Sequence, residues 1–166
     1  MRAVLGLGSN LGDRWSQLSD AIDALIAGDP GAVVSPIYET APVGGPSGQG
    51  PYLNCVVSIE TALAPLQLLA MCQALEAAAK RVRAERFGPR TLDVDVLVIE
   101  GYTSDAPELT VPHPRMASRA FVLAPLSDID QELVDADWRE ALGGEDAVRA
   151  AVCEVGAYVR DLPASP

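Results

Sequence analysis

Two carboxylates, Asp93 and Asp95, stand two positions apart in an aliphatic run that covers residues 92–99. The run is rich in β-branched residues and is bounded by glycine and proline, which predicts a β-strand. Because residues two apart in a strand point to the same face, both carboxylates are expected side by side. The opposite face is expected to be core and carries Val94, Val96 and Val98. Adjacent carboxylates repel each other unless a cation lies beside them, and carboxylates next to phosphate typically bind Mg²⁺.

Basic residues are concentrated just before this strand. Of the 12 Lys and Arg residues of the chain, five lie between residues 80 and 90, namely Lys80, Arg81, Arg83, Arg86 and Arg90. In a chain of net charge −11 this window predicts a local anionic ligand, although a solvated charged face is the simpler explanation. Arg86 and Arg90 are also placed to neutralise the aspartates in a structural ion-pair cluster. These residues alone leave a metal site and an ion-pair cluster open.

The composition restricts the class of protein. A chain of 166 residues is expected to form a single domain, spanning residues 1–166, that buries roughly 70% of its unfolded surface. The net charge argues against general nucleic-acid binding, and no apolar run reaches the ~18 residues that a membrane span needs. The chain starts directly with a strand-like segment, without a signal-peptide pattern, and its three cysteines lack CxxC spacing. We therefore expect a cytoplasmic protein with reduced thiols and with no nucleic-acid or membrane partner.

Hydrophobic periodicity predicts strands that alternate with helices. Strands are predicted over residues 3–8, 33–40, 52–61, 92–99 and 120–126, helices over 15–26, 65–82 and 146–160, and a turn over 103–106. The order β-α-β-β-α-β, followed by C-terminal additions, predicts an α+β fold in two layers. In this fold the helices pack on a ferredoxin-like antiparallel sheet.

Two glycine-rich segments connect the predicted elements. Segment 8–13 resembles a phosphate loop, but Leu11 occupies the place of the third glycine of a dinucleotide fingerprint, so we interpret the segment as a tight turn into a helix. Segment 41–51 contains four glycines and three prolines, and a connection of this length inside a domain is typical of a lid. Tyr52 and Asn54 follow it on one face of a strand. This pair suits a flat polar heterocycle, although a solvent-facing strand side is the simpler explanation.

Six segments together resemble one enzyme family. They are residues 7–12 (LGSNLG), 38–42 (YETAP), 52–54 (YLN), 81–83 (RVR), 88–95 (GPRTLDVD) and 112–115 (PHPR). The chain is similar, from residue 6 to about residue 129, to the 6-hydroxymethyl-7,8-dihydropterin pyrophosphokinases of folate biosynthesis. The resemblance implies a transferase that moves the terminal pyrophosphoryl group of ATP to the pterin hydroxymethyl oxygen and releases AMP. It also implies ATP as co-substrate and two Mg²⁺ ions as cofactor.

The resemblance further implies roles for individual residues. Asp93 and Asp95 match the Mg²⁺ ligands, and with Arg81 and Arg90 they form the expected catalytic set. The expected ATP-binding residues are Gln73, Glu76, Arg81, Arg83, Arg86, Arg90, Thr110, His113, Arg115 and Arg119. The expected pterin-binding residues are Thr40, Pro42, Val43, Tyr52, Asn54, Asp95 and Phe121. The planar guanidinium fork of arginine suits phosphate better than the lysine ammonium does.

The chain departs from the family pattern at Lys80, where glycine is common, and at Phe87, where many members have tryptophan. These departures bear on loop motion rather than on the chemistry. A non-catalytic ferredoxin-like domain that senses nucleotide and metal is the alternative function, but it leaves the aromatic–amide pair and the long lid unexplained. We expect a monomer with two small-molecule substrates, ATP and the hydroxymethyl dihydropterin. The acceptor of the hydroxyl proton stays open between Asp95 and water.

Overall fold

The computed structural model describes residues 1–43, 46, 48–79 and 90–159. The strands in these ranges are β1 (Arg2–Ser9), β2 (Val33–Val34), β3 (Pro36–Thr40), β4 (Tyr52–Glu60), β5 (Asp93–Ile99), β6 (Ser104–Ala106), β7 (Leu109–Val111) and β8 (Val152–Ala157). The helices are α1 (Arg14–Ile26), α2 (Pro65–Ala78), α3 (Ala120–Ile129), α4 (Trp138–Ala141) and α5 (Glu145–Ala151). Strands and helices thus alternate along the first part of the chain, as the periodicity predicts.

The main sheet is antiparallel and has the strand order β5-β1-β4-β3-β8, with the short β2 also paired to β4. A separate hairpin pairs β6 with β7 where the sequence predicts a turn at residues 103–106. The predicted α+β class, an antiparallel sheet with helices packed on it, is confirmed. β5 and β4 flank β1, so the two aspartates and the Tyr52–Asn54 segment lie on either side of the same strand.

Both faces of the sheet are covered. On one face, Leu18 and Ile22 of α1 and Leu68 of α2 pack with Leu5 and Val57 of the sheet in the main core. On the other face, a second core consists of Val4, Val56, Leu97, Met116, Val122 and Leu126. Each fully buried aliphatic side chain contributes roughly 1.5–3 kcal/mol, so both helical layers stabilise the sheet. The sheet therefore lies between two layers rather than in the two-layer arrangement expected from the sequence.

The second layer exists because residues 120–126, predicted as a strand, belong to helix α3. Short apolar runs cannot be assigned to strand or helix by periodicity alone, and this run is apolar at nearly every position. In the helix, Val122 and Leu126, four residues apart, reach the second core together. The strand prediction was wrong because packing against the second face of the sheet selects the helix, and this packing cannot be read from the local sequence.

The predicted helix over residues 146–160 was also wrong in its second half. α5 ends at Ala151, and the chain continues directly as β8, which pairs with β3 from Thr40–Val152 to Pro36–Ala157 with one register shift between Ile37 and Tyr38. β-branched residues such as Val152 and Val155 fit a strand as well as a helical stripe. The free edge of β3, distant in sequence, decides between the two by supplying backbone hydrogen-bond partners.

β5 contains a bulge that changes which of its residues face the main core. The pairing with β1 runs Leu5–Val96 and then Val4–Val98, so Leu97 is an extra residue. Such an insertion reverses the alternation beyond it. Val94 and Val96 reach the main core as predicted, but Val98 packs against the second core. The aspartates precede the bulge, so their shared face is unaffected.

The remaining elements differ from prediction only in detail. The predicted strand 33–40 is interrupted at Ser35, next to Pro36, where an edge or bulge was expected. β4 ends one residue short of its predicted range of 52–61, and residues 53–59 are all buried, so neither of its faces is a solvent-facing side. Among the described residues no helix is long and apolar enough to cross a membrane.

Candidate active site

A cavity of about 200 Å³ opens between the second face of the sheet and the start of α3. Ten of the residues that the sequence assigned to a site line it: Thr40, Val43, Tyr52, Asn54, Arg90, Asp93, Asp95, Arg115, Arg119 and Phe121. They come from β3, β4 and β5, from the segments beside them and from the start of α3. Strand pairing and the packing of α3 thus bring together residues that are as much as 81 positions apart, from Thr40 to Phe121. The cavity has one uncharged side and one charged side.

The uncharged side, here called the neutral wall, consists of Gly8, Thr40, Tyr52 and Asn54. Asn54 donates a hydrogen bond from Nδ2 to Oγ1 of Thr40 over 2.8 Å, and both side chains are buried. Strand register places Asn54 opposite Gly8 on β1. A Cβ atom at Gly8 would lie 2.8 Å from Oδ1 of Asn54, closer than van der Waals contact permits. The glycine therefore lets the amide lie against the backbone of β1.

Gly6 and Gly8 line the cavity, yet the sequence interpretation missed both. Their alternation along β1 was compared only with phosphate-loop fingerprints, which it does not fit. The signal that could have identified them is that glycine inside a strand often marks the close approach of another group. At Gly6 that group is the side chain of Leu97, the bulged residue of β5.

Phe121 closes the cavity at the first turn of α3. Its ring is half-buried, and the guanidinium carbon of Arg119 lies 5.3 Å from the ring centroid, within the range of a cation–π interaction. The pair lines the cavity where the neutral side meets the charged side. Phe121 can therefore offer an aromatic face to a planar ligand while Arg119 offers positive charge next to it.

The charged side, here called the charged wall, consists of Arg90, Asp93, Asp95, Arg115 and Arg119. The Arg90 guanidinium forms an ion pair with the Asp93 carboxylate. Asp95 differs, because its side chain is 41% exposed and the ion pair it forms is a long one to His113, 3.9 Å from Nε2 to Oδ2. The two aspartates thus share a face, as the strand pattern predicts, but they have different neighbours.

Several ionisable groups of the charged wall are perturbed. Burial, followed by repulsion from Asp93, raises the pKa of Asp95 above its ordinary value. Burial also lowers the pKa of His113, which Asp95 partly opposes. Burial and then the neighbouring Arg115 lower the pKa of Arg119. Asp95, His113 and Arg119 have each lost part of their hydration, so a ligand that brings complementary charge would interact with them strongly.

The donor set on β5 fits a magnesium ion. Carboxylate oxygens are the ligands that Mg²⁺ prefers, and sites completed by substrate phosphates and water need only one or two of them. Within the described ranges, no group of three or more His, Cys, Asp or Glu residues is arranged to hold a metal. Asp93 and Asp95 therefore match a site that a phosphate ligand completes. The ion-pair alternative holds for Asp93, which Arg90 neutralises. Arg86, the second arginine of that alternative, lies outside the described residues, so the alternative is not tested for the half-exposed Asp95.

Other sequence-assigned residues lie outside the cavity lining. Glu76 on α2 is buried beneath β5, where its Oε1 accepts a hydrogen bond from the Val94 amide over 3.1 Å, between the two aspartates. Gln73 is exposed on α2, and Thr110 on β7 donates to the Ala106 carbonyl. Pro42 lies half-buried between two cavity residues, and His113 contacts the site through Asp95. Lys80, Arg81, Arg83, Arg86 and Phe87 lie outside the described residues.

The chain is similar to known proteins over most of its length. The model of the family described as 7,8-dihydro-6-hydroxymethylpterin-pyrophosphokinase (HPPK) matches residues 4–131. A protein of Methylorubrum extorquens named 2-amino-4-hydroxy-6-hydroxymethyldihydropteridine pyrophosphokinase is 43% identical over 157 residues, which cover 93% of each chain. A Bacillus subtilis protein of the same name is 44% identical over 133 residues, which cover 79% of each chain.

Solved structures agree on the fold. A structure described as HPPK-DHPS in complex with substrates superposes with a TM-score of 0.62 over 85% of this chain, at 14% sequence identity. The chain spans 42% of the length of that protein. A Plasmodium falciparum HPPK-DHPS triple mutant with pteroate superposes with a TM-score of 0.57 over 76% of this chain, and the chain spans 39% of its length. At these identities the likeness supports the architecture of the sheet and helices alone.

Proposed function

The chain belongs to the 7,8-dihydro-6-hydroxymethylpterin-pyrophosphokinase family, and from that premise we propose that the cavity between the neutral and charged walls is its active site. The enzyme transfers a pyrophosphoryl group from ATP to the hydroxymethyl group of 6-hydroxymethyl-7,8-dihydropterin and releases AMP, a step of folate biosynthesis. The observation that carries the assignment of the site is the meeting of both walls in one cavity. A flat, uncharged heterocycle and a polyanionic chain each find matching chemistry within it.

The neutral wall is the proposed pterin site. Asn54 carries both a donor and an acceptor, and its bond to Thr40 fixes the orientation of the amide. Phe121 provides a ring on which a pterin can stack. The full proposed set is Thr40, Pro42, Val43, Tyr52, Asn54, Asp95 and Phe121. A buried amide held by a neighbour is already oriented before the ligand arrives, which reduces the entropy lost on binding.

The charged wall is the proposed triphosphate site. Transfer of a phosphoryl-type group depends mainly on positioning and on neutralising the charge of the phosphates, which arginines do with their bidentate forks. Arg90, Arg115 and Arg119 line the cavity and supply this charge. Gln73, Thr110, His113 and the sequence-assigned Arg81, Arg83 and Arg86 complete the proposed set. Arg81 and Arg90 remain, with the two aspartates, the proposed catalytic residues.

Glu76 acts in this proposal through another group rather than on ATP. Its carboxylate accepts from the backbone amide of Val94, which lies between the two aspartates, so it holds β5 at the height of the charged wall. The side chain is buried and does not line the cavity. We therefore assign Glu76 a positioning role, in place of the nucleotide contact that the sequence implied.

Asp93 and Asp95 are the proposed Mg²⁺ ligands, and the resemblance implies two ions. When bound, Mg²⁺ neutralises charge on the phosphate oxygens and aligns them for displacement. The residues of the chain orient the reactants: the neutral wall holds the ring so that its hydroxymethyl group points at the charged wall. Phe121 and Val122 at the start of α3 restrict water on one side of the cavity.

Three broader expectations belong to the same proposal. The strand order β5-β1-β4-β3, with α1 and α2 on one face, supports a ferredoxin-like unit to which α3, α4, α5 and β8 are added. A cytoplasmic location is in keeping with a biosynthetic reaction that consumes ATP. We also propose a monomer, since residues of a single chain suffice to line a cavity with both walls.

The activity is tested by incubating the protein with ATP, Mg²⁺ and 6-hydroxymethyl-7,8-dihydropterin and separating the nucleotides. We expect AMP in equal amount to the pyrophosphorylated pterin, and no turnover when the pterin is omitted. Chelation of Mg²⁺ should stop the reaction, and its return should restore it. Formation of ADP, or hydrolysis of ATP that is independent of the pterin, would contradict the proposal. Binding without any turnover would instead favour a nucleotide and metal sensor.

A further inference from the structure

Asn10, in the turn between β1 and α1, is a polar residue that the catalytic assignment does not use. Its side chain is buried, with 7% of the residue exposed. Its backbone amide donates to the carbonyl of Arg90 over 3.0 Å, and its Oδ1 accepts from the amide of Arg90 over 2.7 Å. Both backbone polar groups of Arg90 are therefore held by this one residue. The guanidinium of Arg90 in turn pairs with Asp93 on the charged wall.

The remaining donor of the same side chain points the other way. Nδ2 of Asn10 contacts Oε1 of Gln49 and the carbonyl of Gly50, each at 3.3 Å. Gln49 also donates from Nε2 to the Pro46 carbonyl over 3.2 Å. These residues end the segment 41–51, which begins at the cavity and runs into Tyr52 of the neutral wall. Asn10 thus contacts Arg90 of the charged wall and also the residues that lead into Tyr52 of the neutral wall.

We propose that Asn10 is a positioning residue that couples pterin binding to nucleotide binding, an inference that rests on the proposed function. Its Oδ1 and Nδ2 belong to one rigid, planar amide, so the position of Arg90 and the position of Gln49–Gly50 are set together. A phosphate chain that orients Arg90 also orients the amide that holds the approach to Tyr52. By linkage, a pterin that settles on the neutral wall then favours the same position of Arg90.

An ordinary turn asparagine would have a different consequence. Asparagine commonly stabilises turns through local backbone hydrogen bonds, and its loss would then lower stability without changing how one ligand affects the other. The bonds of Asn10 are not local, because they join residues 39, 40 and 80 positions away. The two roles differ in a measurable quantity, the ratio of pterin dissociation constants without and with bound nucleotide.

The test uses Asn10→Asp in the full chain. The substitution keeps an oxygen that accepts from the Arg90 amide, but it replaces the Nδ2 donor by an oxygen. That oxygen faces the carbonyl oxygen of Gly50. A carbonyl and a carboxylate both accept hydrogen bonds, so no bond can form between them. Calorimetry measures the affinity for the pterin with and without Mg²⁺ and a non-hydrolysable ATP analogue. Loss of the two long Nδ2 contacts, together worth about 1 kcal/mol, should reduce the ratio of dissociation constants about fivefold relative to wild type.

Two further variants keep the inference falsifiable. Gln49→Ala removes one acceptor at the half-buried end of the segment and should reduce the ratio in the same direction, even if Asn10→Asp fails to fold. Arg14→Gln is the matched control, because Arg14 binds the Pro51 carbonyl over 2.8 Å but does not bridge to Arg90. It should alter pterin affinity while leaving the ratio as in wild type.

Each outcome decides the matter. A ratio near one in wild type, an unchanged ratio in both Asn10→Asp and Gln49→Ala, or an equal fall in Arg14→Gln would overturn the inference. Formation of AMP by wild type is measured separately. If no AMP formed, the proposed function would be contradicted. The coupling through Asn10 would still be supported if the ratio fell in the Asn10 and Gln49 variants but not in Arg14→Gln.

Discussion

The two walls of the cavity are built by different means. The neutral wall is set by strand register: Gly8 faces Asn54 across β1 and β4, and Asn54 bonds to Thr40 across β4 and β3. The charged wall combines β5 and the preceding Arg90 with two segments that lie further along the chain. These are the residues around Arg115 and the start of α3. One wall is neutral, and its amide is held by the hydrogen bond from Asn54 to Thr40. The other gathers charges of both signs, and burial shifts the pKa values of two of them, Asp95 and Arg119.

This difference indicates how each wall meets its ligand. A wall whose amide is buried and oriented by a hydrogen bond is pre-organised for a rigid ring, and steric precision limits what it accepts. In a wall of partly desolvated charges, a ligand of complementary charge can form favourable electrostatic interactions that water does not provide. We therefore expect substitutions on the charged wall to reduce activity more than stability. Substitutions on the neutral wall should reduce both.

The largest effect is expected for Asp95→Asn. Activity should fall at least about 100-fold, because a charge that acts in the transition state is lost. Stability without metal should stay the same or rise by no more than ~1 kcal/mol, since the side chain is partly exposed. The raised pKa means that the folded state holds this proton more tightly than the unfolded state does. Wild-type stability should therefore decline as pH rises above ~3.9, and the variant should lack this contribution.

Nucleotide assays measure the activity of Asp95→Asn. Denaturant melts without metal, at pH values from about 3.5 to about 7, measure its stability. Asp105→Asn on β6 is the control, because this aspartate is exposed and lies outside the cavity lining. A loss of several kcal/mol with retained activity would mean that Asp95 belongs to a structural ion-pair cluster. The contrast between the two walls would then fail.

Gly8→Ala tests the neutral wall. The added methyl group would lie 2.8 Å from Oδ1 of Asn54, so the amide must move or β1 must shift. We expect a loss of about 1–3 kcal/mol in the free energy of unfolding and a higher KM for the pterin, with the KM for ATP little changed. Gly28→Ala is the control, because nothing lies within 4 Å of its added Cβ. Normal pterin affinity in Gly8→Ala would show that the close approach is unimportant.

Glu76→Ala and Glu76→Gln separate a backbone support from a nucleotide ligand. Alanine leaves the buried amide of Val94 without this acceptor, which should cost about 1–2 kcal/mol of stability and lower activity through β5. Glutamine retains an oxygen that can accept the same bond and should recover most of the stability. Thermal melts and ATP affinity distinguish the roles. Equal stability of all three proteins, with ATP affinity lost, would restore the nucleotide contact implied by the sequence.

The smallest effect concerns the thiols, which lie outside both proposed ligand sets. Burial raises the pKa of Cys55 and of Cys72 to about 12, whereas Cys153 is exposed on β8. At pH 8 a thiol reagent should label Cys153 rapidly and the buried pair slowly, with activity unchanged after the rapid phase. Because the folded-state values exceed ~8.5, stability should decline as pH rises from there towards 12. Equal labelling of all three thiols would contradict the buried environment.

The part of the site that could be predicted from sequence is the part that depends on short-range geometry. The alternation of a strand is enough to place Asp93 and Asp95 on one face, and the structure confirms this. The α+β class also follows from local periodicity along the first hundred residues. Glu76 shows the limit, because a resemblance can identify a position without saying whether its side chain faces a ligand or a neighbouring strand.

The elements that the sequence could not decide are those whose conformation depends on a distant partner. Residues 120–126 and 152–157 have apolar patterns compatible with either helix or strand, and the uncovered second face of the sheet and the free edge of β3 select between them. The need for glycine at position 8 and the bridge through Asn10 likewise exist only once β4 and Arg90 are in place. The sequence by itself determined the two aspartates on one strand face and the segments that identify the family. Tertiary structure alone decided which groups meet across the cavity, because contacts between distant segments depend on packing and strand register rather than on local preference.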